Sequence, residues 1–276
     1  MAVSPYATPV ERAWYYVFRA ICALVFLFLV APILVIIPLS FNPEPYFTYP
    51  LPGLSMRWYE EFFTSERWQT ALKNSTIVAC ATTALATTLG TLAALGLSRS
   101  NFPMRALVMG ILISPMIVPV VITAVGMYFF YAMVGLSNSY TGLILAHTAL
   151  ATPFVVITVT ATLTSFDHTL TRAGAGLGGT PVQVFVKVVL PLILPGVISG
   201  ALFAFVTSWD EVVVVLFLAS PELRTLPKQM FSGIREMISP TITAAATLLI
   251  ILSVLLLTSV ELLRRRSERL RGLRKG

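Results

Sequence analysis

Charge is what this sequence has least of. Only 11% of its residues are Asp, Glu, Lys or Arg, where a soluble domain carries about a quarter. There are two cysteines, Cys22 and Cys80, both inside apolar runs. They offer no disulfide framework and no metal site, and read as small buried hydrophobes. No Gly-rich phosphate loop ending in Lys-Ser/Thr occurs, nor a His/Cys/Asp cluster, nor a nucleophile elbow. The chain is therefore not expected to be an enzyme. No polar stretch is long enough to fold alone as a soluble domain. No internal repeat stands out, which argues against a secondary transporter of the inverted-repeat kind.

What is present is apolar. Hydrophobic residues make up 57% of the chain, and a bilayer needs ~20 of them in a row. Runs of that length lie at about 15–39, 71–97, 106–133, 142–163, 191–219 and 241–263. The expectation is an all-α polytopic membrane protein, a single transmembrane domain over 1–276, with six transmembrane helices. The net charge of +7 could suggest nucleic acid. However, the basic residues crowd the ends of the apolar runs, which is the positive-inside signal. Arg99 and Arg105 mark the loop at 98–104 as cytoplasmic, and the basic tail at 264–275 does the same for the C-terminus. With six spans, both termini fall in the cytoplasm. The first run reads as a retained helix rather than a signal peptide.

Several residues break the apolar pattern. Residues 41–69 read as an outer loop whose second half, with Trp58, Tyr59, Phe62, Phe63 and Trp68, forms an amphipathic helix anchored at the membrane interface. Pro115 and Pro119 interrupt the third run and either line a pathway or kink the helix against its neighbours. His147 reads as a neutral side chain bonded to a neighbouring helix, with a functional ionisable group as the alternative. Residues 134–141 form a short outer turn, and 220–240 the last outer loop. Inside the second half of the fifth run lies Thr-Ser-Trp-Asp-Glu-Val-Val at 207–213. Two adjacent carboxylates in an apolar helix are costly and point about 100° apart. We read Trp209, Asp210 and Glu211 as part of a transport path, with an ion pair or cap near a bend as the alternative.

One hydrophilic stretch separates the fourth and fifth runs. It reads Thr-Leu-Thr-Arg-Ala-Gly-Ala-Gly-Leu-Gly-Gly-Thr-Pro at 169–181 and leads through Lys187 to Leu-Pro at 190–191. Its glycines disfavour an ordinary helix interior and allow close backbone approach to another surface.

This stretch resembles the cytoplasmic loop of ABC importer permeases, Glu-Ala-Ala, three residues, Gly, nine residues, Ile, one residue, Leu-Pro. The matching positions are Arg172, Ala173, Gly174, Gly178, Val188, Leu190 and Pro191, with Arg in place of the leading Glu and Gly in place of the second Ala. The similarity runs from about Leu72 to Leu263. It is closest to the second permease of spermidine/putrescine-type importers, on Ser208-Trp209-Asp210-Glu211, Leu226-Pro227 and Ser239-Pro240. Those permeases tend to carry an acid where Met116 stands. The resemblance implies the type I importer permease fold in a bacterial inner membrane. It implies that residues 165–188 form a coupling loop, with Arg172, Ala173, Gly174, Gly178, Leu190 and Pro191 engaging an ATPase. The implied partners are a second homologous permease, two ATP-binding subunits and a periplasmic binding protein. No cofactor is implied in this chain, because ATP and Mg would sit on the ATPase. The implied cargo is a polyamine or amino-acid-like amine, with a sugar, an anion or a non-transport scaffold role as alternatives.

Overall fold

The computed structural model describes residues 8–98, 103–236 and 238–270, and every regular element among them is helical. In chain order these are α1 (Pro9–Leu39), α2 (Arg57–Thr64), α3 (Glu66–Leu97), α4 (Arg105–Ile117), α5 (Val120–Val134) and α6 (Tyr140–Thr164). Then follow α7 (Thr169–Gly176), α8 (Pro181–Val184), a π-helical turn (Phe185–Val189), α9 (Leu190–Trp209), α10 (Val213–Leu218), α11 (Leu226–Glu236) and α12 (Thr241–Leu270). Arg99 and residues 271–276 of the basic tail lie outside the described residues. Among the described residues five helices are long and apolar enough to cross a membrane, or six if the bent pair α4–α5 is one span.

The centre is built by α3, α6 and α9, which pack pairwise on one another. Lipid tails are as apolar as leucine, so such helices associate through close packing rather than hydrophobic expulsion. The sequence supplies small residues where the backbones meet. A Cβ on Gly196 would lie 2.1 Å from Thr162 Oγ1, and one on Gly200 would lie 2.6 Å from Thr158 Oγ1 and 3.0 Å from Val155 Cα. From α3, a Cβ on Gly90 would come within 2.6 Å of Val155 Cβ. Ala86, Ala94, Ala151 and Ala204 fill the same layer, with Val155, Val159 and Ile193. Four threonines of α6 satisfy their hydroxyls within the helix. Thr148, Thr152, Thr158 and Thr162 each donate to the carbonyl four residues back, so a hydroxyl-rich helix sits in an apolar core with those groups satisfied.

Around this centre the described helices depart from the expected spans in four places. The third span is not one rod. Val118 is extended (φ −69°, ψ 132°) before Pro119, because the proline ring disfavours the α region in the residue ahead of it. As a result α4 and α5 meet at 101°. The fifth span begins earlier and ends earlier than expected. Helix is continuous from Pro181 to Trp209, so Pro191 sits inside it rather than at its start, and Asp210 and Glu211 lie beyond its end. The aromatics of α2 and early α3 are not interface anchors. Trp58, Phe62 and Trp68 are buried; Phe62 and Trp68 pack with Ala71, Leu226, Ile242 and Ala245, while Trp58 Nε1 donates to Asn42 O. Phe63 alone of that group is largely exposed. Finally, most of the expected loop at 220–240 is ordered helix. Its approach is held to α3 by Asn74 Nδ2, which donates to Glu222 O (2.9 Å) and Arg224 O (3.1 Å), and by the Leu226 N–H, which donates to Ser75 Oγ (2.7 Å).

Helix α1 stands apart. None of its residues is buried, and its contacts run chiefly to α12. It does begin as its sequence dictates, with a reciprocal capping box between Thr8 and Glu11.

Because Gly200 leaves no room for a side chain, Gly200→Val should cost about 2–3 kcal/mol through overpacking. The measurement is the melting temperature of the purified protein in detergent. Gly126→Ala, whose added methyl would meet nothing within 4 Å, should leave it unchanged.

Candidate functional site

The acidic pair sits at a helix break, not in a helix. Asp210 caps α9 through its N–H to Val206 O (3.0 Å). Glu211 then turns its carboxylate onto the start of α10, where Oε1 accepts the Val214 N–H at 2.8 Å. A negative charge near the N-terminal amides of a helix is favourable by ~0.3–1 kcal/mol. The other end of α10 is served by a cation. Lys228 Nζ, from α11, donates to Ala219 O (2.8 Å) and Val215 O (3.3 Å). A six-residue helix is thus closed by an acid in front and a base behind. Val214, Val215 and Leu218 anchor it against Ala124 and Tyr131 of α5 and Leu143, Ala146 and Leu150 of α6.

The two carboxylates therefore differ. Glu211 is half-buried and takes the geometry of a local cap. Asp210 is exposed, and among the described residues its side chain has no hydrogen bond or ion pair. Trp209, just before it, stacks on Phe205 (5.3 Å between centroids, 20° between planes). It also packs against the Phe62–Trp68 cluster. Its indole N–H is buried and has no partner among the described residues. One residue earlier, Ser208 Oγ meets His147 Nδ1 at 2.9 Å. That bond ties α6 to α9 at the break, and it is the neighbouring-helix bond expected of His147.

The break at Val118–Pro119 joins this region through packing, since α5 and α10 are the segments after the two breaks and they lie against each other. Met116 and Ile117, at the end of α4, are exposed. Non-helical backbone at membrane depth is tolerated where protein or a water-filled path covers it. Two such points flank the same helix pair.

The hydrophilic stretch forms a second site. Helix α7 ends in a full Schellman motif: the Gly178 N–H donates to Ala175 O (3.0 Å) and the Gly179 N–H to Gly174 O (3.1 Å). Gly178 has φ +83°, so the glycine of the loop pattern stands where an L side chain is strained. Gly174 is a close approach. A Cβ there would lie 3.3 Å from Val184 and 3.6 Å from Val188, which folds α7 back on the helix that follows. That helix restarts at Thr180, which forms a capping box with Gln183 ahead of Pro181. Pro191 has no N–H and its ring crowds the carbonyl four residues back. The ladder widens accordingly, the Leu190 N–H bonding Phe185 O in a π turn.

Of the expected coupling residues, Arg172 and Ala173 are exposed on α7, Gly174 and Gly178 shape its turn, and Leu190 and Pro191 shape the helix behind it. Sequence reasoning missed Leu177 and Val182. They are 90% and 70% exposed and stand on either side of the turn. The available signal was an apolar residue in an otherwise small and polar loop.

Glu211→Ala removes the carboxylate from the front of α10 and should destabilise the protein by about 1 kcal/mol. The check is the melting temperature, which Asp210→Ala should leave within about 0.5 kcal/mol of wild type.

Residues 86–271 match the model of the family described as binding-protein-dependent transport system inner membrane component. The chain is 33% identical over 250 residues to the spermidine/putrescine transport system permease protein PotC of Haemophilus influenzae, covering 91% of this chain and 97% of that one. It is 35% identical over 233 residues to the putrescine transport system permease protein PotI of Escherichia coli (strain K12), covering 82% of each. In fold it is similar to a chain in the crystal structure of a bacterial ABC transporter that imports the acidic polysaccharide alginate. That match has a TM-score of 0.73 at 16% identity, over 94% of this chain and 99% of that one. The chain belongs to the family of inner membrane components of binding-protein-dependent transport systems.

Proposed function

We propose that this permease carries a small cationic amine, a polyamine or an amino-acid-like amine, across a bacterial inner membrane with both of its termini in the cytoplasm. The observation that carries the reading is Asp210. It is exposed at a helix break and unpaired among the described residues, and an ammonium group is the natural partner of such a carboxylate. The relatives at 33% and 35% identity, a spermidine/putrescine and a putrescine permease, support the same class of cargo. Trp209, stacked on Phe205, adds an aromatic face beside Asp210, worth ~0.5–2 kcal/mol to a cation. Glu211 serves that path by holding the start of α10.

The chain would work beside a second homologous permease, over two ATP-binding subunits, and receive cargo from a periplasmic binding protein. ATP and Mg would be bound by the ATPase, with no cofactor here. Ala173, Leu177 and Val182 form the face offered to the ATPase groove, with Arg172 beside it. From the turn at α8 the helix runs unbroken over 29 residues to Trp209, about 43 Å at a rise of ~1.5 Å per residue. Closure of the ATPases moves α7. The rod behind it, lying on α6 at Gly196 and Gly200, carries that displacement to the break at Asp210. A lever of this kind alternates the side to which Asp210 is open, and it requires no chemistry in this chain.

The test uses the assembled complex in lipid vesicles with binding protein loaded with putrescine, spermidine, γ-aminobutyrate or a neutral sugar. Amine-loaded binding protein should stimulate ATP hydrolysis. Asp210→Asn should lower amine uptake about tenfold, the scale of one charge-assisted hydrogen bond, with assembly and basal ATPase activity retained. Wild-type uptake by that variant, or stimulation by the sugar-loaded protein alone, removes the amine reading. Leu177→Asp should abolish the stimulation while the chain still inserts in the membrane.

A further inference from the structure

At the end of the bundle that carries α7, a cavity of about 610 Å³ opens between four elements. Ser98 lines it from the end of α3, Arg105 from the start of α4, Thr160 and Thr164 from the end of α6, and His168, Thr171 and Arg172 from α7. Leu163 and Phe166 supply its apolar wall. Two guanidinium groups therefore face one space from separate parts of the chain, and no carboxylate lines it among the described residues. Among the described residues neither arginine forms an ion pair. The nearest acid in sequence is Asp167, which does not line the cavity; it interacts by charge with His168, but its hydrogen bonds go to Thr169. Its Oδ1 accepts the Thr169 N–H at 2.9 Å. Hydrogen bonds from the Thr169 side chain and N–H hold its carboxyl below the ordinary range.

The hydroxyls divide in a telling way. Those of Ser98 and Thr164 are spent on carbonyls of their own helices, Leu95 O and Thr160 O, both at 2.9 Å. Thr160 Oγ1 is buried without a partner among the described residues, and the Thr171 hydroxyl makes no hydrogen bond either. The cavity thus combines two rigid forks of donors, an imidazole and two uncommitted hydroxyls around an unneutralised double positive charge.

We propose that this cavity binds a phosphate-bearing anion, held by Arg105 and Arg172 with His168 and Thr171 at its sides. Paired guanidinium groups match the tetrahedral oxygens of phosphate in bidentate fashion, and the volume lies in the range of small-molecule sites. Two sources share this chemistry, the headgroup of an anionic phospholipid and a soluble phosphate compound. Occupancy by either has a mechanical consequence. The anion bridges α7 to the ends of α3, α4 and α6, so it stiffens the joint between the hydrophilic loop and the bundle.

The experiment uses the full complex, purified and placed in nanodiscs of phosphatidylcholine with or without phosphatidylglycerol. Retention of phosphatidylglycerol is read by native mass spectrometry, and binding of labelled inorganic pyrophosphate by equilibrium dialysis. Arg105→Gln should weaken the bound anion about tenfold, and Arg105→Lys should restore part of the affinity. Retained phosphatidylglycerol that pyrophosphate does not displace, and that Arg105→Gln releases, supports the site with a headgroup as its source. Pyrophosphate binding in phosphatidylcholine alone, lost in Arg105→Gln, supports it with a soluble phosphate. If Arg105→Gln does not assemble, the double variant His168→Gln, Thr171→Val is held to the same tenfold criterion. Equal binding by wild type and variant overturns the proposal. So does absence of both probes from the wild-type complex, as when a carboxylate of the ATPase occupies the arginines.

Discussion

The structure depends on the close approach of α6 and α9. In lipid, one apolar helix gains nothing from hiding its leucines against another, so contact must come from backbones that can reach each other. Gly196 and Gly200 leave no room between α9 and Thr158, Thr162 and Val155, and Gly90 does the same from α3. With three helices locked in this way, everything else has a fixed reference. The short helices lean on it, the broken ones bend away from it, and α7 hangs from its end.

The second constraint is that a helix broken at membrane depth must still satisfy its backbone. The chain solves this differently at its two breaks. At 118–119 the second proline removes a donor as it bends the path, and the Val118 N–H stays on Ser114 O at 3.0 Å. At 210–212 the solution uses charge, with Glu211 in front of α10 and Lys228 behind it. That device consumes one member of the acidic pair and leaves the other exposed. The likeness of the two residues in sequence hides a division of labour imposed by a single hydrogen bond.

The hydrophilic stretch shows the same economy. Its glycines are not a flexible tether. Gly178 supplies the left-handed turn of a Schellman motif, Gly174 the contact with Val184 and Val188, and Thr180 with Gln183 restarts the helix. The stretch is a rigid knob, and Leu177 and Val182 are exposed on it because the turn points them away from the bundle.

Much of this was legible in the sequence. The apolar runs are long enough that only helices satisfy their backbone, so the all-helical class followed from composition and length alone. The spacing from Arg172 to Pro191 pointed to the turn and to the helix behind it, and His147 found the neighbouring-helix partner expected of a lone buried imidazole. Tertiary structure decided the rest, because it turned on which surfaces meet. Phe62 and Trp68 could anchor in lipid or pack on α12, and only the position of α12 selects the second. Pro115 and Pro119 could kink a span or break it, and the difference lies in what receives α5. Asp210 and Glu211 could share one role or divide it, and the Val214 amide decides that. A sequence records which groups need partners, but partners far apart in the chain are assigned only when the backbones close on one another.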